Sequence, residues 1–523
     1  MKETFEYGKH HLTSGIALRL ATGKCKGVLV NDVLEKVKSS FETVKEIAAG
    51  DAGVYGINTG FGPLCTTRVS ASETTKLQRN ILMSHAVGVG EPIDVQTAKL
   101  MLILKVHALA KGFSGINPET LNRIIWHIEN DAIPIVPSQG SVGASGDLAP
   151  LSHLFLPLIG LGKVNFQGKE METPELFQKI VLEPIDLSPK EGLALINGTQ
   201  FIAAHAVQLV QRLHNVLSNA DITGAMMIEG LLGSVKPFSP ELHQLRPYPA
   251  NQFVAASVQK LLLDSEVVHS HSNCARVQDP YSLRCIPQVH GASRTAWLHL
   301  KEAVELELNS VTDNPVIINR DLTISGGNFH GQPLALPIDY ACLAASEVGN
   351  ISDRRVYLSL EGDTPGVPKL LMKETGTNSG FMIVQYTSAA LASENKGLCF
   401  PSSADSIPTS LGQEDHVSMG SIGARKAMKV VENTEKILGV ELMCAAQALD
   451  FHQPLKSGKM MTAMHAHVRS RIEHIEEDQI MYGIMEKSIE LVQSGELKKL
   501  GKRIALSENI DFDVPFESTF DTY

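Results

Sequence analysis

"PLALPIDYACLAASEVGNISDRRVYLSL" fills residues 333–360, a run longer than an average globular helix. Two more runs of that character flank it. "GASRTAWLHLKEAVELELNSVTDNP" begins at residue 291 and is expected to stop at Asn314-Pro315, because the residue before a proline disfavours the helical region. "MKVVENTEKILGVELMCAAQALDF" covers 428–451. Helices of this length imply parallel and antiparallel bundling, often accompanied by contacts between subunits. The fold expected is therefore mainly α: a long-helix bundle with C-terminal helices over 196–523, and a smaller N-terminal domain over 1–195.

The bulk composition agrees. At 523 residues the chain exceeds the size at which one core stops growing, which is the reason to expect two domains. Apolar residues make up 43% and charged residues 20%, ordinary for a protein with a large core, and only 5% are aromatic, which favours helices over a strand-rich sandwich. A net charge of −11 argues against a nucleic-acid partner. The most apolar stretch, "LAPLSHLFLPLIGLG" (148–162), is too short for a membrane span and carries two prolines and a histidine. "MKETFEYGKHHL" at the start lacks the apolar centre of a signal peptide. Seven dispersed cysteines without a CxxC pair read as reduced, mostly buried thiols. Together these predict a soluble cytoplasmic protein with no membrane partner.

Before residue 196 the elements are shorter. Residues 33–48 place Leu34, Val37, Phe41, Val44 and Ala48 on one helical face. "TAKLMLILKVHALAKG" (97–112) is apolar nearly all round and reads as a buried helix ending at Gly112. "NPETLNRIIWHIEN" (117–130) offers Asn117 as cap and Pro118 at the first helical position. Residues 131–146 read as loop, 161–174 as a hairpin turning at Gly168, and the acidic tail 505–523 as a surface arm.

Within "SVGASGDLAP" (141–150) two readings stand for Ala144-Ser145-Gly146. One is a tight turn, with glycine supplying positive φ and Asp147 capping the helix that follows. The other is chemical: small residues let the Gly146 nitrogen reach the Ala144 carbonyl carbon, and loss of two waters leaves an exocyclic methylidene on Ser145. Other stretches also admit a chemical and a plain reading. Tyr55 in "YGINTGFG" (55–62) is a hinge aromatic or a base on an irregular, mobile glycine-rich loop. Ser84 and His85 follow a helical run, where a histidine is ordinarily a satisfied polar group. Gln278, Tyr281 and Arg284 fall at three-residue intervals, on one face if helical, and arginine is the natural partner of a carboxylate. "GGNFHG" (326–331) presents Phe329, and "QEDHVSM" (413–419) presents Glu414, ordinarily a wet helix end. A metal site is the rival, from His269, His271 and Cys274, but HExxH, CxxC and nearby carboxylates at ligand spacing are missing. No metal is expected. Phosphate-loop and GxSxG contexts are missing too.

Taken in order, "YGINTGFGPL", "LQRNILMSHAVGVG", "GSVGASGDLAPLSH", "ALINGTQ", "VQDPYSLRC", "SGGNFHGQP", "NSGFMIVQYTSAALASENK" and "QEDHVSMGS" resemble one family over residues 50 to 450. It is the aromatic amino-acid ammonia-lyases that carry 4-methylidene-imidazol-5-one (MIO). The resemblance implies that Ala144-Ser145-Gly146 becomes that ring, so the N-terminal domain carries the MIO loop and no diffusible cofactor is needed. It also implies a homotetramer with active sites shared between chains. Tyr55 is then the base for the substrate β-proton, Arg284 holds the carboxylate with Tyr281 shaping that end, Asn197 and Gln278 are polar groups around ring and carboxylate, and Phe329 packs beside the ring. Ser84-His85 and Glu414 resemble the members acting on L-histidine, since a carboxylate can accept the imidazole N–H, whereas beside a phenyl ring it would be unpaired. Tyrosine- or phenylalanine-type lyases and aminomutases share the scaffold and are the alternatives. The chain departs from the family at 361–377, where Val367-Pro368-Lys369-Leu370 replaces a Pro-Pro-Phe-Leu-like stretch.

Overall fold

The computed structural model describes residues 3–50, 53–60, 71–272 and 276–523. Among them helices dominate, and no strand exceeds four residues. The mainly α fold is as expected from the long apolar runs.

The first half is assembled from short helices: α1 (Asn31–Ala49), α2 (Ala71–His85), α3 (Val95–Leu109), α4 (Pro118–Glu129), α5 (Leu148–Phe155) and α6 (Glu191–Ile196). In α1 the buried stripe is Val33, Val37, Ser40, Phe41 and Val44, while Leu34 and Ala48 are half-buried at its margins. Asn117 caps α4 by accepting from the Glu119 amide at 3.0 Å, with Pro118 opening the helix as its sequence requires. The expected hairpin is present, Lys163–Phe166 against Lys169–Glu172, with Gln167 and Gly168 both at positive φ in its two-residue turn.

The second half is built on α7 (Gln200–Gly230), α8 (Ile286–Leu308), α9 (Gln332–Ser359), α10 (Met382–Leu398) and α11 (Gly420–Asp450). Helices α7, α8, α9 and α11 pack on one another, and α3 lies against α7. Fully buried ion pairs tie them: Arg355 on α9 donates to Glu441 on α11 at 2.9 Å, and Arg294 on α8 meets Asp221 on α7, whose Oδ1 also lies 2.8 Å from His290 Nδ1. Breaking such a pair leaves an uncompensated buried charge, so the pairs hold the helices in one register. The main apolar core draws on residues from Phe5 to Phe520.

Four local expectations are corrected. Helix α8 ends at Leu308, not at Asn314, because the Asn309 side chain donates to the Glu305 and Leu12 carbonyls and terminates it. Residues 132–134 and 137–139 are short strands, paired with Lys163–Phe166 and Val89–Pro92, rather than plain loop. The run at 428–451 begins earlier, at Gly420. The acidic tail is anchored instead of lying free: Phe520 is buried, its ring 5.6 Å from that of Phe253, and Asp521 accepts from Lys502 at 2.6 Å and from Lys498. In the divergent 361–377 stretch, Val367, Leu371 and Met372 enter the core. Cys25, Cys342, Cys399 and Cys444 are buried free thiols and Cys285 is half-buried, while Cys65 and Cys274 lie outside the described residues. No helix among the described residues is long and apolar enough to cross a membrane.

Candidate active site

The loop 141–147 is held from every side. Met419 donates its amide to the Val142 carbonyl at 3.0 Å, and Ser421 Oγ donates to the Ser141 carbonyl at 2.7 Å. On the other flank the Gly198 amide donates to the Ser145 carbonyl at 3.3 Å, and the Asp147 amide donates to the Gly198 carbonyl at 2.8 Å. Ser145 sits at φ +49° and Gly146 at φ +80°, a compact left-handed turn. A Cβ on Gly146 would stand 2.1 Å from the Gly198 oxygen, so only glycine fits there.

Asp147 does not cap α5, as its place in sequence suggests. Its Oδ2 accepts from the amides of Phe201 and Ile202 at 3.1 and 3.0 Å, so it caps α7 instead, and Ser141 Oγ donates to its Oδ1 at 3.2 Å. Complete burial pushes its carboxyl up to about 7, against those hydrogen bonds. Helices α5, α7 and α11 all begin within a few residues of this loop or of the residues hydrogen-bonded to it, Gly198 and Met419, so their positive ends gather around it.

Ser145 opens onto a cleft of about 720 Å³ that Tyr55, His85, Asn197 and Glu414 also line. Its size is that of a small-molecule site. Ser145 Oγ donates to Glu414 Oε1 at 3.2 Å, while Glu414 Oε2 accepts from Ser410 at 2.7 Å and Thr409 at 3.1 Å. Ser84 Oγ lies 2.9 Å from His85 Nδ1, and burial lowers the pKa of the His85 imidazole, partly opposed by Glu414. Tyr55 is carried by a tight turn in which the Val54 amide donates to Asn58 Oδ1 at 2.7 Å and Ile57 is buried. Phe61 and Gly62 of that stretch lie outside the described residues.

The remaining expected residues stand elsewhere in the chain. Arg284 Nη2 donates to Gln278 Oε1 at 2.9 Å, its Nε donates to the Asp279 carbonyl at 2.9 Å, and its guanidinium stacks 4.5 Å over the Tyr281 ring. They form one cluster, although the helix there spans only Tyr281–Arg284 and leaves Gln278 outside it. Tyr281 is 72% exposed, and none of the three lines the cleft of Tyr55. Half-buried Phe329 also stands outside that lining, on a loop whose His330 Nε2 is 3.2 Å from the His416 carbonyl. Among the described residues no group of three metal-ligating side chains converges.

Residues 12–470 match the aromatic amino acid lyase family. The chain belongs to that family. Among related aromatic amino acid lyases, histidine ammonia-lyase of Myxococcus xanthus (strain DK1622) is 46% identical over 481 residues, covering 92% of this chain and 95% of that protein. The crystal structure of histidine ammonia-lyase from Trypanosoma cruzi superposes with a TM-score of 0.89 at 37% identity, covering 99% and 97% of the two chains. Tyrosine aminomutase from Streptomyces globisporus superposes at 0.90 with 32% identity, covering 96% and 99%. Family membership thus fixes the fold and the class, while the cleft must distinguish substrates.

Several lyase-cleft residues went unread in the sequence. Among them Leu77, Asn80 and Ile81 share one face of α2 with Ser84 and His85, and their three- and four-residue spacing from that pair was the available signal. Ser410 has no such signal, because it reaches the cleft only through the loop that carries Glu414.

Proposed function

We propose that this lyase eliminates ammonia from L-histidine to give trans-urocanate, on a MIO group closed from Ala144, Ser145 and Gly146. The observation that carries the reading is the position of Glu414, a carboxylate at Ser145 in a cleft shared with Tyr55 and His85. The loop suits ring closure: its left-handed turn compacts the tripeptide, and residue 146 sits in a cradle that a Cβ would fill. Once closed from these three residues, the ring would supply an electrophilic carbon for the substrate amine.

The chain's own groups do the rest. Tyr55 takes the β-proton through its phenolic oxygen. Glu414 accepts the imidazole N–H and favours an imidazole over a phenyl ring, beside which it would be left unpaired. His85, kept neutral near pH 7 by burial, offers an uncharged hydrogen-bonding partner at the same end. Asn197 lines the cleft beside Ser145. Arg284, fixed by Gln278 and stacked on Tyr281, keeps Nη1 for the substrate carboxylate.

Arg284, Gln278, Tyr281 and Phe329 reach the cleft from neighbouring subunits of a homotetramer. Exposed apolar side chains on α9 and α10, Tyr340, Leu343, Tyr357, Ile383 and Tyr386, support a large contact surface. Free thiols at the described cysteines support a cytoplasmic setting. The test is incubation with L-histidine, L-tyrosine and L-phenylalanine while the ultraviolet absorbance of the unsaturated acids is followed. Urocanate formation from histidine alone is expected, and preferential cinnamate or coumarate formation would reject the substrate assignment.

A further inference from the structure

We infer that Lys105 is a positioning residue for ring closure at Ser145, acting through the Asn197–Gly198 peptide; this rests on the reading that residues 144–146 cyclise. Lys105 lies in the mostly apolar α3 and is only 1% exposed. Its ammonium donates to the Asn197 main-chain carbonyl oxygen. Among the described residues no carboxylate pairs with it. The nearby Asp313 is taken by Lys190 at 2.7 Å and by Ser114 Oγ at 2.8 Å, and Asp147 is occupied by the α7 amides and Ser141. A lysine serving only to balance charge would sit on a carboxylate, whereas this one sits on a peptide, at a desolvation cost that draws its pKa down to about 7.

That peptide leads to the reacting residue. It is trans, so its carbonyl and its N–H point in opposite directions, the carbonyl to Lys105 and the Gly198 N–H to the Ser145 carbonyl at 3.3 Å. In its protonated form, which predominates below that pKa, Lys105 on the carbonyl end polarises the peptide and makes its N–H a stronger donor. Lys105, the peptide and the Ser145 carbonyl therefore form a single polarised line.

Ring closure has a step that needs this donor. The Gly146 nitrogen bonds to the Ala144 carbonyl carbon, and that carbonyl oxygen leaves as water with the amide protons of Gly146 and Ser145, leaving a C=N bond to the Ser145 nitrogen. The second water takes the Ser145 hydroxyl and the Ser145 Cα proton, leaving a Cα=Cβ double bond. The Cα proton is adjacent to the Ser145 carbonyl, so negative charge builds on that oxygen as the proton departs. A preorganised donor on an oxygen that gains charge is an effective stabiliser, and Lys105 strengthens the one present.

The test compares wild type with Lys105→Met, Lys105→Gln and Lys105→Arg, following intact mass with time after cell-free synthesis and checking folding by circular dichroism. Wild type is expected to lose two waters. Folded Lys105→Met should do so slower by on the order of 10-fold or more, since deleting a direct oxyanion donor costs about 10²–10³-fold. Lys105→Arg, which keeps the charge, should recover most of the rate. A folded Lys105→Met that loses both waters at the wild-type rate overturns the inference. Lys105→Gln is read the same way if the methionine variant does not fold. Failure of both neutral variants to fold assigns Lys105 to stability and ends the proposal. A wild type that keeps its full sequence mass rejects the ring itself, so the two failures are distinct.

Discussion

Ser145 Oγ donates to Glu414 Oε1 at 3.2 Å across 269 positions of the chain. The residue proposed to become the electrophile thus lies within hydrogen-bonding reach of the carboxylate proposed to read the substrate ring. Glu414→Gln keeps the shape but removes the charge that the imidazole N–H would meet. Loss of a hydrogen bond to a charged group costs about 1.5–3 kcal/mol, or roughly 10–150-fold in kcat/KM for histidine. Turnover of tyrosine or phenylalanine, where detectable, should not fall in parallel. An equal loss on all three substrates would show that Glu414 does not read the imidazole.

Ser145→Ala removes the hydroxyl whose departure makes the double bond. Its intact mass should show no loss of the second water, and activity should vanish while folding is retained. Gly146→Ala should behave alike for a different reason, since its Cβ would meet the Gly198 oxygen at 2.1 Å and its φ of +80° is unfavourable for alanine. Full activity in either variant rejects the tripeptide as the source of the electrophile.

Tyr55→Phe deletes only the phenolic oxygen. The variant should still lose two waters, yet turn over histidine roughly 10²–10⁴-fold more slowly, the usual cost of losing a general base. Near wild-type turnover would hand the proton to another residue.

If Arg284 serves the cleft of a neighbouring subunit, two inactive variants should complement each other. Co-expressed Tyr55→Phe and Arg284→Gln chains would assemble tetramers in which some clefts combine an intact Tyr55 with an intact Arg284. Activity above that of either variant alone is expected, measured on the co-purified mixture. Its absence in tetramers shown by mass to be mixed would place both residues in one chain's site.

Stability should fall on acidification because of buried neutral histidines. His127 is 1% exposed, its Nδ1 lies 2.8 Å from the Ala132 carbonyl, and burial holds its pKa down to about 4. The unfolded chain, with a histidine pKa near 6.5, binds this proton first, so the contribution is complete above about pH 6.5 and is lost as pH falls toward 4. At pH 5 the loss is about 2 kcal/mol for such a group. Urea unfolding of wild type and His127→Gln at pH 7 and pH 5, at one protein concentration, should show a smaller acid-induced loss in the variant. Identical losses would mean that His127 titrates alike in both states.

Much of this protein was legible in the chain because it depends on neighbours in sequence. The buried stripe of α1, the Asn117–Pro118 start of α4 and the turn at Gly168 follow from helical period, capping and φ preference, which act over a few residues. The ordered motifs, Ala144-Ser145-Gly146 among them, pointed to the family and to the residues named for the site.

Tertiary packing alone decided what those residues touch. Asp147 stands directly before α5, yet its carboxylate caps α7, because a helix start 54 residues away brings free amides closer than its own. Lys105 gives no sign in sequence of meeting the Asn197 carbonyl, 92 positions on, and the motifs that put Ser145 and Glu414 in one site did not show that the two side chains hydrogen-bond. Gln278, Tyr281 and Arg284 gather as their spacing suggested, but at a different place from Tyr55. Local preferences are fixed by covalent geometry and nearby side chains. Which distant polar groups meet is fixed by how the long helices pack, since each buried donor or acceptor must find a partner in the space that packing leaves.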